Sequence, residues 1–108
     1  MIGQRFQHRD RKLLDLAHEI NECQIQIPGI CTGYSLEGCE PAHSNQMEDG
    51  HGRGIKSHDC LHAAACHACH SEIDQGNKLS RADKVFYWTR GMKRTLLEYF
   101  RRGFLVVK

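Results

Sequence analysis

Nowhere in these 108 residues is there an apolar run long enough to span a bilayer, which excludes a transmembrane helix. Residues 1–10 also lack the apolar centre of a secretory signal, so the expected setting is the cytoplasm, where thiols stay reduced. No internal repeat appears, which excludes solenoids and arrays. A net charge of only +2 excludes a uniformly basic or acidic protein, although the charge is unevenly spread. Residues 1–12 carry Arg5, Arg9, Arg11 and Lys12 against Asp10, and residues 84–108 carry seven Lys and Arg against Glu98 alone. All the other carboxylates fall between. Basic flanks around an acidic, histidine-rich centre suit a protein that grips a polyanion by its edges and holds a cation in the middle; an ordinary solvated basic face is the competing reading.

Against these absences, six cysteines stand out. Four form two pairs, Cys23/Cys31 and Cys66/Cys69, and a Cys-x2-Cys turn with a distant second pair is the donor set of a closed structural zinc site. A disulfide framework is the alternative for an even number of cysteines, and the lack of a secretory signal favours zinc. An iron–sulfur cluster is weaker still, because the compact cysteine runs of ferredoxins are missing. Cys39 and Cys60 are expected to be buried small side chains or free thiols. A zinc staple would contribute on the order of 10 kcal/mol to a single small domain whose centre is too polar to supply much core.

The patterning predicts a helix over residues 9–21, a short strand from Cys23 that turns at Pro28-Gly29 to bring back Cys31, and a weakly patterned region over 32–59. A short helix over 68–75 should stop at Gly76. A longer one should begin at the N-cap Ser80, bury Val85, Trp88, Met92, Leu96 and Tyr99/Phe100, bend at Gly91 and end near Gly103. At about 100° per residue, Arg90, Arg94 and Arg101 lie opposite that stripe, as phosphate contacts or as a solvated face. Residues 1–8 are expected to be a flexible arm.

Beyond the second cysteine pair the sequence runs His70-Ser71-Glu72-Ile73-Asp74. His70 is rotated away from Cys69, and Asp74 lies one turn further on the same face, so the two can hold a divalent cation. His43, in Ala42-His43, is the candidate to complete the group, although any one histidine alone is more often a surface residue.

The early cysteine pair, Ala42-His43 and residues 65–74, Ala-Cys-His-Ala-Cys-His-Ser-Glu-Ile-Asp, resemble the HNH, or ββα-metal, nuclease motif in its zinc-stapled form. They are closer still to the YbcO-like nuclease family of lambdoid prophages. The resemblance implies a small α+β fold: a zinc-stapled ββα-metal core over the whole chain, with flanking N-terminal and C-terminal helices. It implies a metal-dependent endonuclease in which His43 is the general base, His70 a ligand of a catalytic cation (magnesium, manganese or zinc) and Asp74 a second ligand. Its partner would be nucleic acid, with DNA favoured, in a bacterial host; Arg53, Lys56, Arg90, Arg94 and Arg101 would contact the backbone. Oligomeric state is left open. Two positions depart from the motif. Ala42 stands where an acid or histidine commonly binds metal, and Leu61 where an asparagine is usual; Asp59, His58 or His62 could substitute for the latter, and Asn45 could orient His43.

These departures keep a second reading in play, a non-catalytic zinc module that binds DNA or a replication or recombination protein. A zinc deaminase is disfavoured, because there the Cys-x-x-Cys follows the His-x-Glu, whereas here it precedes it.

Overall fold

The computed structural model describes residues 6–52 and 55–108, and shows a small α+β fold around a two-stranded sheet. Asp10 caps the short helix α1 (Arg11–Asp15) by accepting from the Leu13 N–H, and the chain tightens into a 3₁₀ turn over Leu16–Glu19. Strand β1 (Glu40–His43) pairs antiparallel with β2 (His62–Ala65), placing Ala42 opposite Ala63 and His43 opposite His62. Helix α2 (His67–Gln75) follows β2 directly and ends at Gly76, whose N–H returns to the Glu72 carbonyl. Helix α3 (Arg81–Arg101) starts at Ser80, whose hydroxyl accepts from the Asp83 N–H. Among the described residues, no helix is long and apolar enough to cross a membrane.

The three alanines of β2 are fully buried, and their small size lets α3 lie close across the sheet. Thr95 ties the two together, accepting from the Ala64 N–H at 2.9 Å while donating to the Gly91 carbonyl at 2.7 Å. The Ala64 carbonyl accepts from Gln24 N–H, and the Trp88 indole donates to the Ala42 carbonyl, so open strand groups are satisfied on both strands. Successive strand residues face opposite ways. Accordingly Ala42, Ala63 and Ala65 pack with Cys23, Ile25, Ile27, Ile73 and Trp88, while Ala64 packs with Ala17, Ile20, Cys39 and Tyr99.

Three expectations change. The first helix is shorter than residues 9–21, because Ile20 turns extended and its carbonyl accepts from the Cys39 N–H at 2.7 Å. Residues 23–28 are not a strand. Their alternation is one of burial, with Ile25 and Ile27 inside and Gln26 outside, and the only ladder contact nearby is an isolated bridge from Glu22 to Tyr34. On α3 the buried face is Trp88, Gly91, Thr95 and Tyr99, leaving Leu96 and Phe100 substantially exposed. Gly91 is there for close approach: a Cβ would lie 2.6 Å from Ile25 Cγ1 and 3.0 Å from Ile25 Cα. Of the expected N-terminal arm, residues 6–8 are described, and they lie along 57–59: Phe6 stacks on His58, and the His8 carbonyl accepts from the Asp59 N–H.

Gly91→Ala should therefore lower stability by about 1–3 kcal/mol through overpacking, although alanine is the better helix former by about 1 kcal/mol; a urea midpoint equal to or above wild type would refute the close-packing role. His62 gives a second prediction. Its Nδ1 donates to the Asp59 carbonyl and its Nε2 accepts from the Tyr99 hydroxyl, and burial holds its pKa below the usual 6.5. The unfolded chain then binds the proton more readily, so stability is lost as pH falls through 6.5. His62→Phe should show a weaker pH dependence of the melting temperature over that range.

Candidate active site and metal centre

The first cysteine pair lies in the loop ahead of the sheet, and the second begins α2, with Cys66 as its N-cap. The four sulfurs converge until all lie within 4.8 Å of one another, and among the described residues this is the one group of three or more donors close enough to share an ion. No two are bonded; Cys31 and Cys66 Sγ are 4.0 Å apart. Tetrahedral zinc with bonds near 2.3 Å needs sulfurs about 3.8 Å apart, so the donor set fits. Each sulfur also accepts a main-chain N–H: Cys23 from Gln26, Cys31 from Gly33, Cys66 from Cys69 and Cys69 from Ile27. Such amides favour thiolate over thiol. The Cys69 thiol beside it draws Cys23 down to about 4, and the same contact pushes Cys69 up. Cys39 is buried against Tyr99 and Ala64, with burial raising it to about 12, while Cys60 is an exposed free thiol.

Beyond this cluster, a cleft of about 950 Å³ gathers Glu40, His43, Asp59, His70 and Asp74. His43, at the end of β1, bonds through Nε2 to Asp59 Oδ1 at 2.9 Å, and its Nδ1 has no partner among the described residues. Asp59 is itself held, accepting at Oδ2 from the Asp10 N–H at 2.7 Å, with the Arg9 guanidinium 3.6 Å from Oδ1. Burial works against its charge, but the His43 bond, the Asp10 amide and Arg9 prevail and keep it below the usual carboxylate range. On α2, both ring nitrogens of His70 meet carboxylates: Asp74 at 3.1 Å from Nε2 and Glu40 at 2.7 Å from Nδ1. Asp74, with help from Glu40, lifts His70 to about 9 despite its burial. The same imidazole keeps Asp74 low, and together with His67, 3.0 Å from Glu40 Oε2, it keeps Glu40 low, outweighing their own burial.

His43, His70 and Asp74 are thus brought to one cleft, as is Lys56 at its edge. Arg90 instead donates to the Ile25 and Gln26 carbonyls and lies over the Phe86 and Tyr87 rings; Arg94 donates to the Gln26 side chain and Arg101 to Glu98. These three arginines do not line the cleft. Arg53 lies outside the described residues. Of the candidates to replace the motif's asparagine, Asp59 alone contacts His43; His58 accepts from the His8 N–H and His62 is held by Tyr99. Asn45 turns to the Ile73 carbonyl and Asp74 instead of His43. Sequence reading missed Glu40, three residues before His43 on β1; Arg9 and Arg11, read only as part of a basic flank, line the cleft itself. Alternation along β1 is the only sequence signal for Glu40, since it shares a face with the buried Ala42.

A family model described as "Putative nuclease YbcO" matches residues 12–103 of this chain. The chain belongs to the YbcO family. It is 35% identical over 83 residues to "Putative nuclease YbcO" of Escherichia coli (strain K12), and equally similar to "Putative nuclease ybcO" of Enterobacteria phage 82. Each match covers 76% of this chain and 84% of the relative. A solved structure described as "a putative bacteriophage protein from Escherichia coli str. K-12 substr. MG1655" superposes with a TM-score of 0.64 at 29% identity, covering 84% of this chain and 99% of that one.

For this YbcO-family chain, the sulfur geometry predicts one tightly held zinc per molecule. Cys69→Ser, or removal of metal with a strong chelator, should abolish the cooperative melting transition, because the metal supplies on the order of 10 kcal/mol of folding free energy. Elemental analysis paired with circular dichroism checks this; a chelated, metal-free protein that still melts cooperatively near the wild-type temperature would contradict it.

Proposed function

We propose that the protein is a metal-dependent endonuclease of the ββα-metal (HNH) type, hydrolysing phosphodiester bonds of nucleic acid, with DNA the favoured substrate, in the cytoplasm of a bacterial host. The observation that carries this reading is the arrangement of the cleft. A histidine oriented by a carboxylate, His43 on Asp59, shares it with a second histidine flanked by two carboxylates, His70 between Glu40 and Asp74. The relatives' names, which call them nucleases, point the same way.

With Asp59 accepting the Nε2 proton, the lone pair of His43 sits on Nδ1, free to take a proton from an attacking water. Asp59 then stabilises the imidazolium that forms, as the carboxylate of a catalytic triad does. His70 through Nε2, and Asp74 through its carboxylate, are the groups that would hold a divalent cation, and the rest of its shell is left to water and phosphate oxygens. When bound, that cation supplies neutralisation of charge on the phosphate and the leaving oxygen. Glu40 accepts the Nδ1 proton of His70, fixing the ring with its other nitrogen towards Asp74. Arg9, Arg11 and Lys56 along the cleft are placed to contact phosphates, a sequence-independent and salt-sensitive form of binding. The zinc of the cysteine cluster is structural and takes no part in the chemistry.

The test is cleavage of supercoiled plasmid and branched DNA with added magnesium or manganese. His43→Ala should lose about 10²–10⁴-fold in rate with zinc content and melting temperature intact. Glu40→Gln should weaken manganese binding, read by calorimetry on the zinc-loaded protein, by about 10–100-fold. Inactivity of wild type and His43→Ala alike, with DNA still bound, would favour the non-catalytic zinc module, for which Ala42 and Leu61 are the supporting features.

A further inference from the structure

Next to the cleft, and sharing Asn45, His51 and Asp74 with it, lies a second cavity of about 370 Å³ that the chemistry above leaves unused. Its apolar side is Ile73, Val85 and Trp88; its polar side is Asn45, Gln46 and His51 from the loop between the strands, with Arg81 and Lys84 on the first turns of α3. We propose that this cavity receives the base of an unpaired nucleotide adjacent to the cleaved phosphate, so that the preferred substrate is nucleic acid with a single-stranded or branched stretch at the cut. The inference rests on the nuclease reading above and goes further, to the class of substrate.

The size comes first. At the small end of the range of about 300–1,000 Å³ for small-molecule sites, the cavity is of a size to take a single base. The lining comes second. A base presents two flat apolar faces and an edge of donors and acceptors. Trp88 has committed its Nε1–H to the Ala42 carbonyl and is only 3% exposed, so with Ile73 it forms a mostly buried apolar floor, and Val85 beside them is the more accessible apolar contact. Asn45 spends its amide N–H groups on Ile73 and Asp74, which leaves Oδ1 as an acceptor, and the Gln46 side chain has no partner among the described residues. Together these provide a donor and acceptors for a base edge. Charge comes third. Arg81 is exposed and without a partner among the described residues, so it is free to meet the phosphate that follows the base, whereas Lys84 is already engaged with the Gly76 carbonyl.

Position then decides the substrate. Because Asp74 belongs to both spaces, a strand whose phosphate lies between His43 and His70 brings its neighbouring nucleotide to the mouth of the cavity. To enter, the base must leave its stack. Unstacking and unpairing a duplex nucleotide costs a few kcal/mol by general estimates, while one that is already unpaired enters without that cost. The selection is therefore against intact duplex.

The experiment measures affinity by fluorescence anisotropy on the zinc-loaded full chain, with calcium in place of magnesium so that binding is read without cutting. The probes are a labelled duplex and the same duplex carrying a short single-stranded flap. Wild type should bind the flap about tenfold or more tightly, the difference expected for one held base. Val85→Tyr, which fills the cavity, should bring flap affinity down to the duplex value and leave duplex affinity, zinc content and melting temperature unchanged. Should that variant fold poorly, Gln46→Ala serves, with a partial loss confined to the flap. Equal affinity of wild type for both probes, no binding of either, or a flap preference that survives in both variants overturns the proposal. Cleavage of fully paired plasmid with no flap preference would sink the base pocket and leave the nuclease reading standing; a flap preference without any cleavage would do the reverse.

Discussion

Everything else in the molecule depends on the meeting of four sulfurs. The loop over 23–31 has no ladder to hold it, yet it carries Ile25 and Ile27 fully into the core and brings its backbone against Gly91. The sulfur cluster fixes this loop to the start of α2, and Arg90 and Arg94 then grip its carbonyls and the Gln26 side chain from α3. A non-glycine residue at positive φ, Gln26 at 55°, lies between them, a local strain that the surrounding ties hold in place. The same cluster sets where α2 begins. Since Cys66 is its N-cap, the direction of His70 one turn later follows from the sulfur cluster.

What could be read from sequence was local. Cysteine spacing, the Ser80 cap and the Gly76 stop are decided by neighbours a few residues away, and each appears where it was expected. The failures were decided at a distance. The alternation over 23–28 is real, but its cause is burial under α3 and the sulfur cluster, not a partner strand. A helical projection places Arg90, Arg94 and Arg101 away from the apolar stripe and shows Glu98 one turn before Arg101, yet it cannot know that the cysteine-anchored loop passes beside the first two. For the same reason the stripe itself was misjudged: facing a strand of alanines and the Ile25 backbone, α3 buries its small Gly91 and Thr95 where a large side chain would not fit.

The cleft shows the same division. His43, His70 and Asp74 could be singled out by residue type and spacing, and they do share one space. Their supports were harder to read: Asp59 was one of three candidates to replace the motif's asparagine, and Glu40 is an ordinary carboxylate made relevant only because β1 brings it to a ring nitrogen of His70. His43 and His70 are thus each held by a carboxylate from a different element, Asp59 and Glu40, and the sheet register sets where His43 and Glu40 stand on β1.

The strap at the N-terminal side shows what such a design demands of folding. The Asp10 amide orients Asp59, which orients His43; the Trp88 indole fastens Ala42, next to it; and Arg94 reaches back to Gln26. These contacts close loops of 49, 46 and 68 residues in a chain of 108. Loops of that span delay native pairing, since their closure entropy is lost before the contacts repay it. On the ribosome α3 follows the sheet, so until residues 81–101 have emerged the alanines of β2 stay uncovered and the Ala42 carbonyl lacks the Trp88 indole.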